Sequence, residues 1–276
     1  MKQLAVRVLV AIVTIPILIN IVLFGKTVLV GFVSLLTFLG FLEFMKLTQT
    51  RIRFFPQIIL FGWLVAANWL VFYYGKEMLL YSLLIGFAVT TFSAVFRRDI
   101  ALASTRIVFT LFGLFYVSLF NFFILIRELE LVKYVDYKEA GVWILFAFAV
   151  IWICDTAAYF IGSLLGRHKM SPVVSPNKSW EGFAAGMIFG TLTGYIFSFC
   201  ALKNIDVFQM IFAAFAISLV GQLGDFVESI FKRRFGVKDS SNIIPGHGGV
   251  LDRFDSLLFA LPTLYFFLVL VVYRVD

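Results

Sequence analysis

The sequence predicts an all-α, polytopic integral membrane protein of about nine transmembrane helices, with its N-terminus in the cytoplasm and its C-terminus outside. Three observations predict it. The 276 residues are 62% hydrophobic and 14% charged, with 35 phenylalanines and a mean hydropathy of +1.00, whereas an ordinary soluble domain carries about 25% charged residues. Apolar windows of about 20 residues, enough to cross a bilayer core about 30 Å thick, recur from end to end. Finally, the basic residues fall unevenly between alternate loops.

In order, the windows run roughly over 5–24, 28–47, 55–74, 77–96, 106–126, 141–165, 183–202, 207–231 and 251–273. The first has no small-residue cleavage site and a second span follows closely, so it reads as structure rather than as a removed leader. Short turns separate the early spans: Gly25-Lys26, Phe55-Pro56 and Gly75-Lys76-Glu77. Spans one to five, residues 1–138, form a set of hairpins that reads as a scaffold, and its Phe-rich helices suit a membrane homodimer. Its polar residues within or near spans, Asn20, Glu43, Asn68 and Asn121, read as interhelical hydrogen-bonding groups. No inverted internal repeat of the transporter kind is visible.

Orientation follows from Lys and Arg, which short translocated loops avoid. With nine spans, one side holds Lys2 and Arg7, then Lys46, Arg51 and Arg53, then Arg97, Arg98 and Arg106, then Arg167, Lys169 and Lys178, and finally Lys232, Arg233, Arg234, Lys238 and Arg253. That is 16 of the 23 basic residues, and this side is cytoplasmic. A formal net charge of +7 then needs no nucleic-acid partner, because loop topology and attraction to anionic headgroups account for it. Cys154 and Cys200 fall in separate spans, which gives no disulfide framework. His168 and His247 lie in cytoplasmic loops without zinc spacing.

Ionisable residues inside spans are costly and mark function by default, and here they gather in the C-terminal half. Asp155 and Tyr159 stand one turn apart near the cytoplasmic end of span six. Asp225, Glu228, Ser229 and Lys232 fall at i, i+3, i+4 and i+7, a polar stripe along span eight. Asp252 and Asp255 stand at i, i+3 just after Pro245-Gly-His-Gly-Gly249. Carboxylates that converge at membrane depth repel one another unless neutralised, and a hard divalent cation does this. Interhelical ion pairs, with Lys232 and Arg253 answering the acids, are the alternative.

The loops offer what a phosphate substrate needs. Met170 to Gly182 leads into span seven, with Asn177 or Ser179 as N-cap and Glu181 in the first turn. Such a helix start presents N–H groups to an anion, and Lys178 adds a full charge. Gly246, Gly248 and Gly249 permit close backbone approach, so successive N–H groups there can cradle a diphosphate or simply make a turn. No G-x-x-x-x-G-K-[ST] loop is present, which argues against a P-loop ATPase.

The stretch from Ser229 through Lys232-Arg233, Lys238-Asp239, Pro245-Gly-His-Gly-Gly249 and Asp252-Arg-Phe-Asp255 closely resembles the signature of the phosphatidate cytidylyltransferases (CDP-diacylglycerol synthases). Ser175-Pro-Asn-Lys-Ser-Trp-Glu-Gly182 and Asp155-Thr-Ala-Ala-Tyr159 are similar to that family's companion segments, so the resemblance covers about 155–256. Asn177 departs from it, standing where many relatives carry a second basic residue.

The resemblance implies transfer of CMP from CTP to phosphatidic acid, with Mg²⁺ and room for a second cation, in a catalytic transmembrane domain over 139–276. It implies residence in a bacterial-type inner (cytoplasmic) membrane, with the site facing the cytoplasm. On this reading Asp225, Asp252 and Asp255 hold the metal, and Asp155 or Glu228 stands nearby. Lys178, Lys232, Arg233 and Lys238 meet substrate phosphates. The Gly246–Gly249 turn takes the nucleotide, and His247 contacts phosphate or cytosine or stabilises the turn. Tyr159, Ser175, Ser179, Glu181, Ser229, Asp239 and Arg253 complete the expected substrate site. A CTP-dependent lipid kinase and an ion transporter are the competing readings; crowding of the acids at one end of three spans argues against transport.

Overall fold

The computed structural model describes residues 2–50, 54–95, 100–129, 136–244 and 248–274. The chain divides into two compact units, one of Met1–Leu129 with Asp239–Arg253, the other of Glu130–Lys238 with Phe254–Asp276. The signature loop over 239–253 therefore groups with the N-terminal helices.

The first unit contains α1 (Lys2–Phe24), α2 (Lys26–Leu47), α3 (Phe54–Tyr74), α4 (Glu77–Val95), α5 (Ile100–Ser118) and the short α6 (Asn121–Ile124), which widens into a π turn over Leu125–Leu129. Arg127, 0% exposed, explains the sharp α1–α2 turn. Its guanidinium donates to Val22 O and Leu23 O at 2.9 Å each, filling carbonyls that the end of a helix leaves open. Glu128 Oε1 accepts from Lys26 N at 2.5 Å and so caps the next helix start. Asn68 crosses to α2, donating to Ser34 Oγ and Thr37 Oγ1 at 3.3 Å, as an interhelical polar group should. Asn20 and Asn121 instead donate to carbonyls in their own chain neighbourhood, Pro16 O and Ser118 O. Glu43 turns to the signature loop.

The second unit is built on α7 (Tyr137–Leu165), α8 (Trp180–Cys200), α9 (Val207–Arg234) and α10 (Leu251–Phe267), the last continued by a π turn over Leu268–Val272. α10 begins with residues of the first unit. Along α8, Gly182, Gly186, Gly190 and Gly194 recur at four-residue spacing. A methyl group at Gly182 would lie 2.7 Å from Ala158 O of α7. The stripe therefore lets backbones approach as small residues do in membrane bundles.

Between α7 and α8 the connection forms a hairpin, β1 (Lys169–Ser171) with β2 (Ser175–Ser179), paired antiparallel. This two-stranded piece is an addition to the all-α expectation. α9 runs to Arg234, further than the apolar window ending near 231, so Lys232, Arg233 and Arg234 occupy its last turn and complement the helix dipole. Gly236, at φ +70, then ends it: Val237 N donates to Lys232 O at 3.0 Å.

Among the described residues seven helices are long and apolar enough to cross a membrane, and the apolar parts of α1 and α3 form two shorter ones, Val10–Phe24 and Ile58–Tyr74. Large apolar side chains such as Leu164, Phe208 and Phe92 lie exposed on these helices, the arrangement a lipid solvent permits. This is a helical, multi-pass membrane protein.

Candidate active site

In the second unit, the polar stripe of α9 assembles most of the expected residues. Lys178, on β2, places Nζ 2.7 Å from Asp225 Oδ2 and 4.0 Å from the centre of the Phe226 ring. Ser229 Oγ donates to Asp225 Oδ1 at 3.3 Å. One turn on, Lys232 Nζ donates to Glu228 Oε2 at 2.8 Å, both side chains being buried. Asp255 lies within electrostatic reach of Asp225, Glu228 and Lys232. Its Oδ1 also accepts from Ser256 N at 2.6 Å. The close approach of α10 depends on Gly224, where a methyl group would stand 2.9 Å from Asp255 O. Three carboxylates and two ammonium groups thus meet at one end of α9.

Other expected residues hold the frame of that group. Arg233 donates to Val174 O at 3.1 Å and to Val237 O at 3.4 Å, tying the hairpin tip to the end of α9. Ser179 is the N-cap of α8, its hydroxyl accepting from Gly182 N at 3.2 Å. Glu181 accepts from His168 N at 3.2 Å and pairs with His168 Nδ1 at 2.6 Å, closing the base of the hairpin. Ser175 pairs with Ser171 across it. Asp155 is exposed on α7, and Tyr159 is 71% exposed, edge-on to Phe160.

The signature loop, in the first unit, is arranged around two carboxylates. Asp252 Oδ2 accepts from Ser240 N and Gly249 N at 2.8 Å each, and from Ser240 Oγ at 2.9 Å. Glu43, from α2, accepts from Ser241 Oγ at 2.6 Å and from Val250 N and Leu251 N at 2.9 Å each. Gly248 takes φ +86 and accepts from Ile244 N at 2.9 Å. The Gly249 N–H therefore faces a protein carboxylate. Lys238, Asp239 and Arg253 are exposed around the loop. Gly246 and His247 lie outside the described residues.

Glu43 is the residue whose place sequence reading missed. It reads as one more interhelical polar group, although an acid inside a span is itself the signal of a special role.

The donor chemistry of Asp225, Glu228 and Asp255, all carboxylate oxygens, fits a hard divalent cation. Among the described residues no group of three or more His, Cys, Asp or Glu stands in metal-holding geometry, and the Lys178 ammonium occupies the outer oxygen of Asp225. Asp252 is engaged by its loop through Oδ2.

Comparison with known proteins places this arrangement in a family. Phosphatidate cytidylyltransferase of Staphylococcus haemolyticus (strain JCSC1435) is 50% identical over 127 residues, 46% of this chain and 49% of the relative. The protein of the same name from Bacillus subtilis (strain 168) is 44% identical over 161 residues, 58% of this chain and 57% of the relative. The chain spans about half the length of the curated relatives it matches. The profile of the cytidylyltransferase family matches residues 5–271. Because that match runs nearly from one end to the other, through both units, the chain belongs to the cytidylyltransferase family.

Proposed function

We propose that this protein is a phosphatidate cytidylyltransferase, transferring CMP from CTP to phosphatidic acid to give CDP-diacylglycerol and pyrophosphate. The names of its relatives support the reading. The observation that carries it is the group at the end of α9, where Lys178 and Lys232 are held within 2.8 Å of Asp225 and Glu228, and Asp255 joins them. Paired cations and carboxylates beside a lipid-facing helix end are what two anionic substrates and a pyrophosphate leaving group require.

The phosphate oxygen of phosphatidate is already an anionic nucleophile, so no strong general base is needed. It forms a bond to the α-phosphorus of CTP as the bond from that phosphorus to the bridging oxygen breaks, and pyrophosphate leaves with the electron pair. The barrier lies in aligning two anions. Lys178 and Lys232 neutralise phosphate charge, and their carboxylate partners keep the ammonium groups in place until substrate competes for them. Arg233, anchored on the hairpin, holds the end of α9 in register with Lys178. Asp225 and Asp255, with Glu228 beside them, would hold Mg²⁺. That ion supplies neutralisation of the pyrophosphate oxygens. Lys238, just past the end of α9, serves the nucleotide.

The same reading takes the apolar windows of α1 and α3 as spans, giving nine in all. The 16 basic residues of one side then place the N-terminus and the site in the cytoplasm, the C-terminus outside, and the protein in the cytoplasmic membrane. CTP enters from solution and phosphatidate laterally from the leaflet. The test is purified protein with CTP and phosphatidic acid, with and without Mg²⁺, scored for pyrophosphate. Metal-dependent pyrophosphate release is expected. CDP without pyrophosphate would overturn the reading in favour of a lipid kinase.

A further inference from the structure

The signature loop leaves and re-enters helical structure at two stems, Ser240-Ser241 and Val250-Leu251, and one side chain from α2 ties both. Each oxygen of Glu43 meets one hydroxyl and one backbone N–H. Oε1 accepts from Ser241 Oγ and Val250 N, and Oε2 accepts from Leu251 N and lies 3.2 Å from Ser240 Oγ. The Ser240 hydroxyl stands between Glu43 and Asp252 and links the two carboxylates of the loop. Glu43 is 0% exposed. A carboxylate suits this place because both backbone N–H groups and the Ser241 hydroxyl donate to it and it has only acceptors to offer. The first N–H groups of α10 lack a partner within their own helix, and Glu43 supplies it from a helix about 200 residues earlier. A methyl group at Gly249 would meet Ser240 Oγ and lie 2.7 Å from both Glu43 oxygens, so the glycine, the serine and the glutamate define the turn together.

We infer that Glu43 is a positioning residue for nucleotide use: by joining the two stems it holds Ser240-Ser241 and Gly249–Leu251, the described ends of the signature loop, in one geometry. This rests on the cytidylyltransferase reading for the identity of the ligand, but not for the holding of the loop. A neutral amide at Glu43 turns an NH₂ group toward one of the two backbone N–H groups, Val250 or Leu251, which cannot accept, so that contact is lost and its stem is released.

The test is Glu43→Gln, purified as the full chain in detergent, with two readouts. Amide hydrogen exchange of the peptide carrying Val250 and Leu251 is expected to be about tenfold faster or more. The apparent KM for CTP is expected to rise about tenfold or more while that for phosphatidate stays within about twofold, because a displaced loop weakens one substrate's binding. A smaller folded fraction would lower the rate at saturation and leave KM alone, so the KM split separates positioning from stability. Should Glu43→Gln not fold, Ser241→Ala removes the shortest contact without stranding a charge, and a rise of about two- to fivefold in the same KM is expected. Unchanged exchange, unchanged KM for CTP, or an equal rise for both substrates overturns the inference. If the wild-type protein releases no pyrophosphate, the cytidylyltransferase reading fails by itself. The exchange measurement still decides whether Glu43 holds the loop.

Discussion

Lys178 and Asp225 come from opposite kinds of structure, a short surface strand and a membrane helix, yet Nζ and Oδ2 lie 2.7 Å apart. The ring of Phe226 beneath the ammonium, 4.0 Å from Nζ, adds a cation–π contact that orients the charge. Because both side chains keep about a third of their surface open, the pair contributes little to stability, and its value lies in where it puts the cation.

Lys178→Ala is therefore expected to raise the apparent KM for CTP by about ten- to a hundredfold, with a small effect on phosphatidate and on thermal stability in detergent. Lys178→Arg keeps the charge but not the point geometry and should fall between. Steady-state kinetics with each substrate varied in turn measures this. An unchanged dependence on CTP removes Lys178 from the site.

Asp252 and Asp255 sit three residues apart in the sequence, and substitution of either by Asn is expected to abolish turnover, but for different reasons. Asp255→Asn removes a carboxylate from the group with Asp225 and Glu228, so the rate should fall about a thousandfold or more with the loop intact. Asp252→Asn disrupts the contacts to Ser240 and Gly249, so loss of activity should come with faster amide exchange at Ser240 and Gly249. Membrane insertion should survive both, since the apolar residues set it. Pyrophosphate release and exchange on the same preparations distinguish the two. Near wild-type rates from both variants would contradict these roles.

The two acids also show what the sequence makes legible. The helices are readable because a bilayer demands about 20 apolar residues from each span, and the α9 stripe is readable because spacing of three and four residues places side chains on one face. The hairpin at Lys169–Ser179 was hidden by its Ser and Pro content, which reads as loop, and its strands are held partly by Glu181 on His168. Glu43 was hidden by distance: it lies 207 positions from Val250, and two of its four partners are backbone N–H groups, which carry no residue signature. The different duties of Asp252 and Asp255 depend on the same long-range contacts.

Gly249→Ala and Gly62→Ala offer a contrast within one protein. A methyl group at Gly249 would meet Ser240 Oγ first and then both oxygens of Glu43 at 2.7 Å, whereas at Gly62, inside α3, nothing lies within 4 Å. Overpacking of the first site should cost about 1–3 kcal/mol. The second change should be neutral or stabilise by up to about 1 kcal/mol, because alanine is the better helix former. Thermal unfolding in detergent, compared at matched detergent concentration, reads both. Equal stability for the two variants would mean that Ser240 and Glu43 are not packed on Gly249 as described.

Glu228 and Lys232 form the most enclosed ion pair of the α9 stripe, 2.8 Å apart with side-chain exposures of 2% and 11%. Such a pair adds little net stability over an apolar replacement, but removing one partner strands the other charge where water cannot reach it. Lys232→Met should therefore destabilise the protein by about 3–5 kcal/mol, while Glu228→Leu with Lys232→Met should recover much of that loss. Activity should not follow stability: on the proposed mechanism the double variant lacks the Lys232 cation assigned to phosphate and should remain inactive. Unfolding and pyrophosphate assays on the single and double variants test the two halves separately. A double variant that regains turnover along with stability would show that Lys232 serves the fold and not the reaction.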